Sequence, residues 1–262
     1  MKKHQWLTLR SMRTQPYRLE DISVIVPSCA KKFEKRWEWF WSQYVKNTNA
    51  KVVANTHIPC DKAEVNFLKK VTNNHKLIYV VEPRYIVPKT IGAIDKIRTR
   101  LTFRLANDIM VVRRGWEKPV LQRFNDIDKM QVIAKVTHGV SYPESQRKMA
   151  KDWKFIEREY KGKQTTAVVF PHGAILMAQT AVWRAYYTLA AQYTFHDHDE
   201  IFFSQIARGD GIIFTHMGGI DNYLAHVGIT NQDFNEESLE RLYELRKQYE
   251  EMPRKPGFRM MM

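Results

Sequence analysis

Apolar residues recur along this chain in two alternating rhythms. Ile22-Ser23-Val24-Ile25-Val26-Pro27 is a short β-branched run stopped by proline, which predicts a buried strand. Phe33, Trp37, Phe40, Trp41, Tyr44 and Val45 then fall at i, i+4, i+7, i+8, i+11 and i+12, one face of a 3.6-residue repeat, while Lys31, Lys32, Lys35 and Arg36 lie off it. The pattern continues with a strand over 51–55, a short helix over 62–73 and a strand over 77–81. A helix over 89–106 turns Ile91, Ile94, Ile97, Leu101 and Leu105 inward and carries Lys89, Lys96, Arg98, Arg100 and Arg104. A fourth strand over 108–112, a helix over 117–124 and a fifth strand over 130–136 follow. Strands and helices alternating at this spacing predict an α/β unit around a mainly parallel sheet.

Beyond residue 137 the texture changes. Residues 141–164 are polar and read as a long loop or an exposed helix. A strand over 166–170, a helix over 179–193, an apolar helical stretch over 201–207 and a last strand over 211–215 are expected. Leu239, Leu242, Tyr243, Arg246 and Tyr249 define a helix face, with Glu236 and Glu237 suited to its first turn. The organisation that results is a basic N-terminal arm (1–20), a domain over 21–232, a C-terminal helix (233–252) and a flexible tail (253–262).

Charge adds a bias toward partners. Against 28 acidic residues stand 42 Lys and Arg, a net +14 over 262 residues. Such an excess favours polyanions, because each cation set beside a phosphate releases counterions; spread over a surface, it equally fits a basic protein with no such partner. No apolar run approaches the roughly 18–20 residues of a membrane span. The first residues lack the apolar stretch of a secretory signal, and the two cysteines, Cys29 and Cys60, build no disulfide framework, so a cytoplasmic setting is expected. Gly-x-Gly-x-x-Gly, P-loop and Gly-x-Ser-x-Gly motifs are all absent from the sequence, and a four-thiolate zinc site is impossible with two cysteines.

The densest chemistry lies at His196-Asp197-His198-Asp199-Glu200, directly before the apolar Ile201-Phe202-Phe203. A carboxylate at a helix N-terminus is held by free backbone N–H groups and by the helix dipole. That placement suits a general base, and carboxylates with imidazole equally suit a divalent cation; the cluster alone does not choose, and a solvated turn is the plain alternative. The end of the expected fourth strand, Val112-Arg113-Arg114-Gly115-Trp116, offers two arginines able to clamp phosphate oxygens, or simply a surface turn. The same strand-end rule points to Pro27-Ser28 and to Asp61. Trp116 suits stacking on a sugar or base as well as it suits the core, whereas Trp37 and Trp41 are expected in the core.

Taken in order, these features resemble a GT-A-fold glycosyltransferase of the family 2 kind. The resemblance rests on the opening strand, on Ile97-Arg98-Thr99 leading through Leu105-Ala106-Asn107-Asp108-Ile109-Met110-Val111-Val112, and on Gly115-Trp116 before a helix. Gly173-Ala174-Ile175-Leu176-Met177 and Asp199-Glu200 opening a helix that ends at Arg208-Gly209-Asp210-Gly211 complete it. It covers roughly residues 21–216. It implies a GT-A-like, mostly parallel sheet in a single domain and a nucleotide-sugar donor, UDP-linked by expectation. Pro27, Ser28, Asp61, Arg98, Arg113 and Arg114 would lie at the donor. Asp199, with Glu200 beside it, would deprotonate an acceptor hydroxyl, and Trp116 and His198 would face the acceptor. The family's Asp-x-Asp metal motif is expected where this chain reads Val112-Arg113-Arg114-Gly115. Three outcomes stay open: the arginines replace the charge of Mn²⁺ or Mg²⁺, the cation is held by Asp197 and His216 with the acidic cluster, or the chain binds without catalysis.

With +14 and no membrane span, the acceptor expected is a polyanion: a hydroxymethylated base in DNA, the chemistry of phage-type modification systems, with the base leaving the stack to react. In a viral setting the compartment is the host cytoplasm. A transferase building a surface or capsule glycan and a non-catalytic nucleic-acid-binding relative are the alternatives.

Overall fold

The computed structural model describes residues 15–27, 34–58, 78–79, 86–107, 109–127, 129–136, 171–192, 212–216 and 223–226 as runs. It also describes 66, 69, 199, 200, 203, 206, 207, 210, 220, 240, 243, 244, 246–248 and 251. In chain order the elements are β1 (Ile22–Ile25), α1 (Glu34–Asn47), α2 (Ala50–Ala54), β2 (Thr56–Ile58), β3 (Ile78–Tyr79), α3 (Ile86–Lys96), β4 (Leu101–Leu105), β5 (Ile109–Val111), α4 (Glu117–Asp126), β6 (Gln131–Val136) and β7 (Pro171–Gln179). The helix α5 follows, running from Thr180–Val182 through a π-helical stretch, Trp183–Tyr187, into Thr188–Ala190; β8 (Ile213–His216) and β9 (Leu224–His226) close the list.

Seven strands form one sheet in the order β3-β2-β1-β4-β7-β6-β8. β3, β2, β1 and β4 are mutually parallel, β7 runs against both β4 and β6, and β8 is parallel to β6. The expected mainly parallel α/β sheet is therefore present, with one reversed strand. β5 and β9 make a separate antiparallel pair. The free edge of β5 is closed by side chains of α1. Gln43 donates to the Ile109 carbonyl and accepts from the Val111 N–H (3.1 Å), and Asn47 Nδ2 donates to the Val111 carbonyl (2.6 Å), so an exposed edge becomes a buried, satisfied one.

Strand alternation sorts the core into two layers. Val24, Val26, Leu101, Phe103, Leu105, Ile175 and Met177 face α1, α2, α4 and the small sheet. Ile25, Val132, Leu176 and Ala178 face α3, α5 and the helical residues Phe203, Ile206 and Ala207. Phe40, Trp41 and Tyr44 fill the first layer as the helical stripe predicts, and Trp39, off that stripe, is buried beside them. Of the basic arm, residues 15–20 are tied down: Tyr17 is buried against Phe124, its N–H donates to Asn125 Oδ1 (2.7 Å), and the Arg100 guanidinium lies 4.2 Å over its ring.

Three expectations are corrected. The strand expected at 51–55 is the helix α2, because Asn49 caps it: its side chain accepts from Lys51 N–H and its carbonyl from Val52 and Val53, and a capped turn outweighs the β preference of two valines. The helix expected over 89–106 stops at Lys96. Leu101, Phe103 and Leu105 then alternate with Thr102 and Arg104 at a period of two and form β4 beside β1. The segment expected to be the sheet's fourth strand, 108–112, instead supplies β5 of the small sheet, whose partner β9 was not anticipated. The expected strand at 166–170, the stretch 141–164 and the tail 253–262 lie outside the described residues.

Candidate active site

The sheet's carboxyl edge is where an open α/β sheet presents its ligands. Arg104 is the penultimate residue of β4, in register with Ile25 of β1 and Leu176 of β7. Alternation turns it into the α3/α5 layer, where it is 1% exposed. An isolated guanidinium there would be prohibitively costly, and it is paired: Arg104 is ion-paired to Asp199 and donates to Tyr187 Oη (3.1 Å). Tyr187 in turn donates its hydroxyl proton to Asp199 Oδ2, so one carboxylate oxygen takes both groups.

Asp199 and Glu200 open the helical residues that also include Phe203, Ile206 and Ala207. Asp199, Phe203, Ile206 and Ala207 fall at i, i+4, i+7 and i+8 and are all buried. Glu200 is one position off that face and half-buried. Burial alone would raise the Asp199 pKa, but Arg104 and the Tyr187 hydroxyl outweigh it and hold the carboxyl below its ordinary value. Glu200 goes the other way: burial first, and then the neighbouring Asp199 charge and hydrogen bond, push it up to about 8. Burial opposes the charge on Arg104, which Asp199, Tyr187 and Glu200 more than restore, so its pKa rises. Two adjacent carboxyls are thus driven apart, Asp199 lowered by its partners and Glu200 raised by burial and by Asp199, a pattern typical of acid–base sites.

Not all the expected site residues are brought together. Pro27 is buried at the carboxyl end of β1. Arg98 is exposed at the opposite edge, ahead of β4, donating to the Asp95 carbonyl (2.6 Å) and the Ile97 carbonyl (3.1 Å). Arg113 and Arg114 sit on the turn after β5, and Arg114 Nε donates to the Lys46 carbonyl (2.7 Å). Gly115 closes that turn at φ +85°, the left-handed region open to glycine. Trp116 is fully buried, against Phe103 (5.8 Å), with its indole N–H on Thr48 Oγ1 (3.1 Å); of the two expectations for it, core packing is the one realised, because its ring fills the layer under β4. Ser28, Asp61, Asp197 and His198 lie outside the described residues, and His216 ends β8 in register with Ala134.

The placement of β4 also changes which residues follow the strand beside β1. The residues that follow the strand beside β1 are Ala106-Asn107-Asp108, not Val112-Arg113-Arg114-Gly115, so in the sequence a carboxylate does follow that strand. Asn107 is 7% exposed and its Nδ2 has no hydrogen-bond partner among the described residues, while the Ile109 N–H closes the turn on the Ala106 carbonyl (3.1 Å). An unpaired amide N–H suits an anion rather than a cation. Among the described residues no three His, Cys, Asp or Glu side chains stand together as a metal set.

Two residues of this site carried weak sequence signals. Arg104 looked like one more exposed cation of a helix, and only period-two alternation in 101–105 could have revealed it as an inward strand residue. Tyr187 had no signal beyond a polar-tipped aromatic in an apolar helix. Since Trp116 is a core residue, Trp116→Phe should lower stability by about 1–3 kcal/mol, through the lost indole hydrogen bond and the space the smaller ring leaves. A denaturation midpoint checks this, and kinetics with any acceptor should be unchanged.

No family model matches the chain, and no curated protein does. Among solved structures, 4-diphosphocytidyl-2C-methyl-D-erythritol synthase from Anaerococcus prevotii is similar at 11% identity with a TM-score of 0.52, over 86% of this chain and 96% of that one. Mouse xyloside xylosyltransferase 1 is similar at 10% identity, TM-score 0.47, over 74% of this chain and 83% of that one. S. aureus TarS 1-349 is similar at 13% identity, TM-score 0.44, over 73% of this chain and 56% of that one. No described helix is long and apolar enough to cross a membrane. The strand order, the single reversed strand and the first of these likenesses give the chain a GT-A-like α/β fold in a single domain.

Proposed function

We propose that this chain is a nucleotide-sugar-dependent glycosyltransferase in which Glu200 is the general base. The acceptor hydroxyl gives its proton to the Glu200 carboxylate. Its oxygen then bonds to the anomeric carbon of the sugar, and the bond from that carbon to the diphosphate oxygen breaks, releasing the nucleoside diphosphate. The observation that carries this reading is the pair of adjacent carboxyls at the carboxyl edge of the central strand, one locked to Arg104 and the other half-buried with its pKa raised to about 8. A base works best with a pKa near the working pH. The resemblance puts the base at Asp199; the geometry favours Glu200, because Asp199 already accepts from Arg104 and Tyr187 and is buried.

In this reading the donor diphosphate lies beyond β1 and β4, with Pro27 as its floor and Asn107 Nδ2 as a donor to a phosphate oxygen. Asn107→Ala should raise the donor KM by about five- to tenfold with kcat little changed, the loss of one hydrogen bond made equally in ground and transition states. Initial rates over a donor series check it.

For the acceptor, the support is charge alone: +14 suits a polyanion, and a hydroxymethylated base in DNA is the acceptor proposed. The test is transfer of labelled sugar from UDP-sugars to hydroxymethyl-modified DNA, with a glycan acceptor in parallel. Transfer to DNA that weakens steeply with salt supports the DNA acceptor. Transfer only to the glycan overturns it and keeps the transferase, and donor-independent DNA binding with no transfer overturns the enzyme.

A further inference from the structure

Besides the Arg104 ion pair from β4, the helical residues that carry Glu200 are held by one short stretch of α5. That stretch, Trp183–Tyr187, is π-helical, a rare conformation that recurs at functional sites. Tyr186 and Tyr187 are consecutive, so their side chains leave the axis roughly 100° apart and reach different partners. Tyr187 donates to Asp199, at the start of the Glu200 helix. Tyr186 is 2% exposed and hydrogen-bonded to Asp210, whose own N–H bonds to the carbonyl of Ala207 (3.2 Å), the last described helical residue before the turn. Between these two points Trp183 stacks on Phe203 (5.0 Å) and Tyr187 meets the same ring edge-on (5.8 Å). The ring contacts are apolar and tolerate sliding; the two hydroxyl bonds are directional and do not.

We propose that Tyr186 and Tyr187 are positioning residues, clamping this helix at both ends and so fixing where Glu200 stands against the acceptor. The proposal rests on the glycosyltransferase reading, and it adds residues that neither the strand-end rule nor the resemblance names. Neither tyrosine touches the reacting atoms. Each acts through a carboxylate at one end of the helix, and displacement of a base by about 1 Å is enough to lower turnover.

The test uses the full chain with Tyr186→Phe and Tyr187→Phe, which keep the rings and their packing. Two readouts are taken: steady-state kinetics well below the melting temperature, and hydrogen exchange of the amides of Phe203, Ile206 and Ala207. Each variant should exchange these amides about tenfold faster than the wild type and lose about tenfold in kcat at unchanged donor KM. Asp210→Asn, whose amide oxygen still accepts from Tyr186, should keep both values, and Asp210→Ala should reproduce Tyr186→Phe. Unchanged exchange in both phenylalanine variants overturns the clamp. Faster exchange with unchanged kcat overturns the positioning role and leaves a structural one. A wild type that transfers no sugar, with exchange accelerated in both variants, supports the clamp and overturns the transferase reading instead.

Discussion

Arg104→Met should destabilise the protein by about 3–5 kcal/mol, the range seen when one partner of a buried ion pair is removed. The guanidinium is 1% exposed and the Asp199 residue 3% exposed, so neither charge has water to fall back on. Methionine fills much of the lost volume, so the loss measures the stranded Asp199 carboxylate rather than a cavity. Tyr187 still donates to that carboxylate but carries no charge. A loss of this size takes up much of a typical domain's 5–15 kcal/mol. The double variant Arg104→Met with Asp199→Leu should regain a large part of it, because an apolar pair leaves no unpaired charge. Denaturant midpoints of the three proteins check this. A midpoint for Arg104→Met within about 1 kcal/mol of the wild type would show that the pair does not hold this layer together.

Glu200→Gln should lower kcat by about 10²–10⁴-fold, the usual contribution of a general base, with the donor KM within a few-fold. The fold should survive, since Glu200 is half-buried at the helix start and glutamine fills the same space. Asp199→Asn should behave differently. It removes the carboxylate that Arg104 is ion-paired to, so the damage appears first in stability and only through that in activity. Glu200 also sets a pH dependence of stability. Its folded pKa of about 8 lies above the ordinary 4.5, so between those values the folded chain holds a proton that the unfolded chain has released. Stability therefore falls as pH rises from about 4.5 to 8, by at most about 1.4 kcal/mol per pH unit. Glu200→Gln, which cannot titrate, should flatten that slope, and melts recorded at pH 5 and pH 8 read it directly.

How far the sequence foretold this molecule depends on which residues are asked. β1, α1, α4 and β6 follow from patterns of the right length, because a β-branched run or a long helical stripe leaves one way to bury its apolar face. The order of features was enough to reach the GT-A-like sheet. The errors fall where two periods compete over a few residues. In 101–105 the inward arginine broke the apolar signal that would have marked a strand, because its burial depends on Asp199, 95 positions away. In 51–55 a helix cap that spans two residues decided the outcome. Asp199 and Glu200 were legible as a candidate pair from their position before an apolar helix. Which of them is locked to an arginine and a tyrosine was not, since that difference is made by Arg104 and Tyr187 arriving from other elements. Trp116 shows the converse: its neighbours in sequence suggested a ligand, and its neighbours in space are Phe103 and Thr48.

The assignment of the base to Glu200 is tested most directly by the pH dependence of kcat/KM for sugar transfer, measured from pH 4 to 9.5 on the wild type and on Glu200→Gln. The wild type should gain close to tenfold per pH unit on the acid side and level off near pH 8, where Glu200 has lost its proton, while Glu200→Gln should show no such limb. A wild-type profile already flat above pH 5, or a Glu200→Gln enzyme that keeps the limb and the rate, would place the base elsewhere and contradict the account.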